Sequence, residues 1–143
     1  MRISLRALLP VMALSLTLPP AHAAEETTSN NTISGTIFLP PDLQHELAAD
    51  DRLVLKLYHP DGGVEKDTRY WIIDRFDLPR DFSVAPSVDM NGKVRWPTYM
   101  LEVFTDRDGD VLNAVAGELF VKTDDLIPLG TSGLQLELAP PAR

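Results

Sequence analysis

The sequence predicts an all-β protein, an antiparallel β-sandwich of about seven strands. Apolar residues recur at every second position in short runs, which is typical of half-buried strands rather than helices. Proline, glycine and aspartate separate the runs, as they do in turns. Because short antiparallel strands bury their apolar faces only when two sheets pack together, the pattern favours a sandwich.

Each apolar run supplies one strand. In chain order the apolar positions are Ile33, Ile37 and Leu39; Leu53, Leu55 and Leu57; Tyr70 to Ile73; Phe82 and Val84; Tyr99, Leu101 and Val103; Leu119 and Val121; and Leu134, Leu136 and Leu138. The positions that we expect in the core between the two sheets are Ile37, Leu55, Leu57, Phe82, Leu101, Val103, Leu119 and Leu136.

The connections carry turn and helix signals. A helix of two turns is predicted within Pro41–Asp50, where Leu43 and Leu47 are four residues apart; the alternative is a loop that crosses one end of the sandwich. The segments 59–63 and 89–93 predict tight turns, since they combine proline or Asn-Gly with residues that tolerate positive φ.

The first 23 residues predict a cleaved secretory leader. Arg2 and Arg6 give a positive start, an apolar run follows, and Ala21-His22-Ala23 forms a small-residue exit. A membrane span needs roughly 20 apolar residues, and Pro19-Pro20 end the run early. We therefore expect a periplasmic or secreted protein without stable membrane insertion. The expected parts are the leader, 1–23; a flexible segment, 24–31; and the sandwich domain, 32–143.

Charge and composition exclude several function classes. The 143 residues include 21 acidic and 13 basic ones, for a net charge of −8. Nucleic acid is an unexpected partner, because phosphate binding needs clustered lysine and arginine. There is no cysteine, hence no thiol chemistry. Nucleophile-elbow, zinc-protease and phosphate-loop motifs are also absent, so we predict that the protein is not an enzyme.

One acidic segment has the residue types of a calcium loop. Asp106, Asp108 and Asp110 alternate along the chain, and Asn113 and Glu118 follow. Calcium takes six to eight oxygen ligands, so these five residues are the candidate metal site. The glycine falls at the fourth position of the loop, whereas EF-hands have it at the sixth. The alternative is a solvated acidic turn, since aspartate and glycine suit turns.

Two aromatic segments are candidate recognition surfaces. They are Tyr70 to Ile73 and Trp96 to Tyr99. In the first, both alternate faces are apolar, so the strand is either covered on both sides or partly exposed for a partner. If the strand Tyr70 to Ile73 is partly exposed, an extended peptide would add to the sheet edge. The expected partner is a protein or peptide of the cell envelope.

The order of segments resembles a known domain. The segments are Ile33 to Leu39 followed by Pro-Asp-Leu, Leu53 to Tyr58 with a glycine-containing turn, Asp77 to Val84, Asp89-Met90, Tyr99 to Thr105, Gly117 to Leu119, and Leu134 to Leu138. On these, most of the chain resembles the Ig-like C-terminal domain of the c-type cytochrome biogenesis subunit that chaperones apocytochrome. The resemblance implies an Ig-like sandwich and a chaperone-like accessory role in cytochrome c biogenesis. The Asp106 to Asp110 segment is similar instead to the Asp-rich loop of secreted transthyretin-like sandwiches.

Two hypotheses follow for the function. One is an exported, non-enzymatic module that binds a protein or peptide on a sheet edge or apolar face. The other is a calcium-stabilised structural domain of the cell envelope. A shift of the melting temperature with calcium is expected only for the second, because a ligand that binds the native state alone stabilises it.

Overall fold

The computed structural model describes residues 30–112 and 114–141 and confirms the all-β fold. The predicted leader and residues 24–29 lie outside this part of the chain. The strands are β1 Ile33–Phe38, β2 Arg52–Tyr58, β3 Arg69–Asp74, β4 Arg80–Val84, β5 Thr98–Asp106, β6 Phe120–Lys122, β7 Ile127–Pro128 and β8 Leu134–Glu137. The helices are a 3₁₀ helix, Pro41–Glu46, and one α-helical turn, α1, Val64–Asp67. Neither described helix is long and apolar enough to cross a membrane.

The strands form two sheets, as a sandwich requires. One has three strands in the order β4-β1-β8. The other has five: β3, β2, β5 and β6 lie in that order, and β7 pairs with β5. All of these pairs are antiparallel except β1 with β8, which differs from the purely antiparallel expectation. These two strands are the first and last in the sequence, so the intervening strands provide the long connection that a parallel pair needs.

The core lies between the two sheets and contains every predicted core position. The fifteen buried apolar residues of this cluster are Ile33, Ile37, Leu39, Leu53, Leu55, Leu57, Phe82, Val84, Tyr99, Leu101, Val103, Leu119, Ile127, Leu136 and Leu138. Gly35 permits the close approach of β1 and β8, because a Cβ there would lie 2.2 Å from the backbone oxygen of Leu134. The predicted period of two therefore identifies the inward face correctly.

The predicted turns and helix are present with two differences. The sequence predicts a helix only within Pro41–Asp50, but Val64–Asp67 also forms an α-helical turn. The first helix is 3₁₀ rather than α, since the Leu43 N–H bonds to Pro40 O, three residues back, at 3.0 Å. In the first predicted turn the Gly62 N–H donates to His59 O at 2.9 Å. In the second, Gly92 has φ of 74°, which glycine adopts without a Cβ clash.

Candidate functional site

The acidic loop, residues 106–118 between β5 and β6, brings three carboxylates together. Asp106, Asp108 and Glu118 each place an oxygen within 4.8 Å of the others. Asp106 and Glu118 are buried, and Asp108 is exposed. Of the other predicted ligands, Asp110 does not belong to this group, and Asn113 lies outside the described residues.

Two of the three carboxylates accept hydrogen bonds at the start of the loop. Oδ1 of Asp106 accepts the Gly109 N–H at 2.8 Å. Its Oδ2 accepts Nε of Arg52 at 3.0 Å and also contacts Nη2 of that arginine. Oδ1 of Asp108 accepts the N–H of Asp110 at 2.8 Å. The carboxylates therefore fix the path of the loop whether or not a cation binds.

Glu118 ties the end of the loop to its beginning. Its Oε1 accepts the Arg107 N–H at 2.8 Å, and its Oε2 accepts the Val115 N–H at 2.9 Å. The residue is 2% exposed. Because a buried N–H without a partner is costly, these two bonds explain a buried glutamate in this position.

The side chain of Arg107 fastens the loop to the segment that leads into β2. Its Nε donates to Oδ1 of Asp51 at 2.8 Å and its Nη2 to Oδ2 at 3.0 Å. Burial raises the pKa of Asp51, but hydrogen bonds from Arg107 and from the Ala48 N–H outweigh it and leave the pKa below its ordinary value. The pair is a bidentate contact in which the carboxyl is buried and the guanidinium partly exposed.

The β3 edge, the outer side of Arg69–Asp74, is a second candidate site. The Thr105 N–H bonds to Leu119 O and the Thr123 N–H to Leu101 O, so the odd-numbered residues of β5 bond toward β6. Bonding direction alternates along antiparallel strands, so the even-numbered residues of β5 bond to the even-numbered residues of β2. The odd-numbered residues of β2 then bond to the odd-numbered residues of β3. The N–H and C=O groups of Tyr70 and Ile72 therefore point away from the sheet.

These outward peptide groups have no partner within the part of the chain that the structure describes. β3 is the last strand on its side of the sheet, and no backbone or side-chain bond reaches Tyr70 or Ile72 from another element. Ile72 is 45% exposed. Edge strands are usually protected by proline, lysine or a bulge. The centre of this strand, Tyr70 to Ile73, contains neither proline nor a charged residue, so it remains able to pair with another chain.

The side chains of β3 divide between the two faces of the sheet. Trp71 packs against the core, and the guanidinium carbon of Arg69 lies 5.0 Å from the centre of its ring. Tyr70 lies on the outer face, opposite Lys56. Burial and the negative charge of Glu102 raise the pKa of the Tyr70 hydroxyl, so this group remains a protonated hydrogen-bond donor. The edge thus offers an apolar side chain, Ile72, beside a polar one.

The second aromatic segment forms a separate cluster and not an extension of the β3 edge. Tyr99 is 2% exposed and belongs to the core. Trp96 stacks on His59, with ring centres 4.4 Å apart, and both rings meet Tyr99 edge-on. The imidazole also accepts the Asp61 N–H on Nδ1 at 3.1 Å. The sequence placed His59 only in a turn and gave no signal for this stack.

The arginine partners of the acidic loop were likewise not predicted. Arg52 lies directly opposite Asp106 in the register of β2 and β5. Knowledge of that register would have indicated the pair, because directly opposite residues of antiparallel strands have neighbouring side chains. The sequence gives no sign of this contact, because the two residues are 54 positions apart.

Comparison with family models, with curated proteins and with solved structures gives no match. The acidic loop and the β3 edge are therefore the features of this chain that bear on its function.

Proposed function

We propose that this chain is an exported, non-enzymatic module that binds an extended segment of a partner protein by adding it as a strand to the β3 edge. One observation carries the proposal: the peptide groups of Tyr70 and Ile72 point outward and lack partners among the described residues. Strand addition supplies backbone hydrogen bonds for affinity and alternate side-chain contacts for specificity.

The setting of the edge supports this role. A partner strand would cover the exposed side chain of Ile72 and meet the hydroxyl-bearing ring of Tyr70 on the same face. A segment bound in this way stays extended, which suits a chaperone-like accessory that holds a chain before it folds. The resemblance to the cytochrome c biogenesis domain supports such a role, and the predicted leader, residues 1–23, supports export to the periplasm or the medium.

The test is an NMR titration with a defined probe, an acetylated heptapeptide of alternating threonine and valine. We expect the amide signals of Tyr70 and Ile72 to shift, since their N–H groups gain acceptors. The same peptide with N-methyl groups on alternate residues cannot donate to the edge, so it should bind at least tenfold more weakly, as expected when about 1.4 kcal/mol of bonding is lost.

Matched substitutions locate the binding surface. Ile72→Lys places a charge on the edge and should abolish the shifts. Leu126→Lys is the control, because Leu126 is 41% exposed, close to the 45% of Ile72, and lies outside β3. Equal binding of both peptides, or unchanged binding by Ile72→Lys, would refute strand addition.

Calcium stabilisation is the second candidate, and the convergence of Asp106, Asp108 and Glu118 favours it. Three carboxylates within 4.8 Å of one another offer the oxygen ligands that calcium prefers. The positive charge of Arg52 on Asp106 already neutralises part of this group. The cation would therefore add to a loop that the protein has ordered through its own hydrogen bonds.

Thermal melting in millimolar calcium and then in chelator tests this candidate. Calcium binding raises the melting temperature of the parent, and Asp108→Asn should remove the rise. Asp110→Asn is the control, because Asp110 lies in the same loop but not in the group of three. A parent whose melting temperature is the same in calcium and in chelator leaves the loop as an acidic turn.

A further inference from the structure

A basic cavity lies close to the beginning of β3. It has a volume of about 400 Å³ and is bounded by residues 66–67, 87–89 and 93–95. Three cations line it: Lys66, Lys93 and Arg95. The whole chain has a net charge of −8, so a local excess of positive charge distinguishes this surface. Such a surface attracts anions that the rest of the protein repels.

The two carboxylates in the cavity are already engaged. Oδ2 of Asp67 accepts Nη1 of Arg95 at 3.1 Å and the Gly63 N–H at 2.7 Å. Oδ1 of Asp89 accepts the N–H groups of Asn91, at 2.8 Å, and of Lys93, at 2.9 Å. Their oxygens hold the walls of the cavity in place.

Two ammonium groups remain available. Within residues 30–112 and 114–141, neither Lys66 nor Lys93 forms an ion pair through its side chain. Three cations against two carboxylates leave one net positive charge in the lining. A ligand with a single negative charge matches that balance, which favours a carboxylate over a dianionic phosphate.

Two valines, Val88 and Val94, form the apolar part of the lining, and neighbouring contacts hold the lining in place. Val88, 53% exposed, pairs with Val94 through an isolated β-bridge. The guanidinium carbon of Arg95 lies 4.6 Å from the ring centre of Trp96, whose ring also stacks on His59. A carboxylate attached to a small apolar side chain would therefore meet both ammonium groups and valine methyl groups.

The cavity is close in the chain to the end of β3 at which an antiparallel peptide would finish. Lys66 precedes Arg69, the first residue of β3, by three positions, so their Cα atoms are at most about 11 Å apart. A peptide that pairs antiparallel with β3, the more stable arrangement per residue, directs its C-terminus toward Arg69. Its terminal carboxylate would then reach the surface lined by the two lysines.

Building on the proposed function, we propose that the basic cavity binds the C-terminal carboxylate of the peptide that pairs antiparallel with β3. The partner is accordingly a protein whose extended C-terminal residues are apolar or uncharged and end in a free carboxylate. The carboxylate contacts set the direction and register of the peptide, which the uniform backbone bonds of the edge do not fix.

The test compares the acetylated threonine–valine heptapeptide, ending in valine, as the free acid and as the C-terminal amide. At low salt we expect the acid to bind about three- to tenfold more tightly, the range for one or two exposed ion pairs. The double change Lys66→Ala and Lys93→Ala should remove this preference and leave the affinity for the amide unchanged. Lys122→Ala, on β6, is the control and should retain the preference.

The outcomes separate this inference from the proposed function. If both peptides shift Tyr70 and Ile72 with equal affinity, strand addition stands and the carboxylate site is overturned. If neither peptide shifts them, strand addition fails, and N-acetylvaline then tests the cavity alone. Shifts at the Lys93 and Arg95 amides that vanish in the double variant support carboxylate binding. No shift in the parent rejects it.

Discussion

The acidic loop and the β3 edge differ in how their polar groups are used. In the loop, the carboxylates of Asp106 and Glu118 accept five hydrogen bonds from described backbone and arginine groups. At the edge, the peptide groups of Tyr70 and Ile72 have no partner among the described residues. Both regions border the same sheet, but the loop uses its carboxylates to order its own backbone, whereas the peptide groups of the edge are left for another chain.

This difference shows that a distinctive sequence pattern does not indicate which polar groups lack hydrogen-bond partners. The alternating aspartates of the loop stand out because few residue types suit such a turn, and the structure shows them supporting the turn itself. Tyr70 to Ile73 is an ordinary apolar run, yet its place at the end of a sheet leaves hydrogen bonds unmade. Strand order, which the sequence does not display, decides which region is available.

The largest expected effect comes from the core that supports both regions. Leu101 is completely buried in β5. This strand leads into the acidic loop, and β2 separates it from β3. Leu101→Ala should lower the free energy of unfolding by about 2 to 5 kcal/mol, because it leaves a cavity among packed neighbours. Denaturant unfolding measures this, with the exposed Leu126→Ala as control. A parent-like midpoint would place Leu101 outside the essential core.

The next effect is confined to the loop. Glu118→Ala leaves the N–H groups of Arg107 and Val115 without their acceptor, and should cost about 2 to 3 kcal/mol. Asp110→Ala removes an exposed carboxylate and should cost less than about 1 kcal/mol. The amide exchange rates of Tyr70 and Ile72 should stay unchanged in both variants. If Glu118→Ala alters them, the two regions are coupled and the contrast between them does not hold.

Much of the fold and part of the candidate site could be predicted from the sequence. Alternation of apolar residues identifies inward positions such as Leu55 and Val103 because the side-chain period of a strand is local. The parallel pairing of β1 with β8 and the contact of Arg52 with Asp106 depend on which distant segments meet. The calcium-loop pattern correctly predicts that Asp106, Asp108 and Glu118 converge. It does not predict that Asp110 stays outside this group, because the direction of the Asp110 side chain depends on the path of the loop backbone.

A smaller effect depends on pH. The pKa of Asp51 is lower in the folded protein than its ordinary value of 3.8, so its contribution is present above pH 3.8 and is lost as the pH falls through the folded pKa. Asp51→Asn should therefore reduce stability at pH 7 by about 1 kcal/mol or less, since Arg107 is partly exposed. Unfolding measured from pH 7 to pH 2 should show the difference from the parent shrinking in acid. A constant difference would contradict the charged pair.

The smallest expected effect on stability comes from a substitution on the β3 edge. Ile72→Lys should change the free energy of unfolding by no more than about 0.5 kcal/mol, because its side chain is 45% exposed and its peptide groups bond to no described residue. At the opposite edge of the same sheet Phe120 is paired, since Phe120 and Ala139 exchange backbone bonds of 2.8 and 3.1 Å.

Hydrogen exchange compares these two edges directly. The amides of Tyr70 and Ile72 should exchange rapidly, whereas those of Phe120 and Ala139 require a local opening and should exchange more slowly. Trp71 provides an internal control within β3, because its N–H points toward β2 and should be protected. Protection of Ile72 equal to that of Phe120 at every protein concentration would mean that the β3 edge is covered within the chain. Protection that grows with concentration would mean that a second copy occupies the edge, because strand addition then occurs between identical molecules.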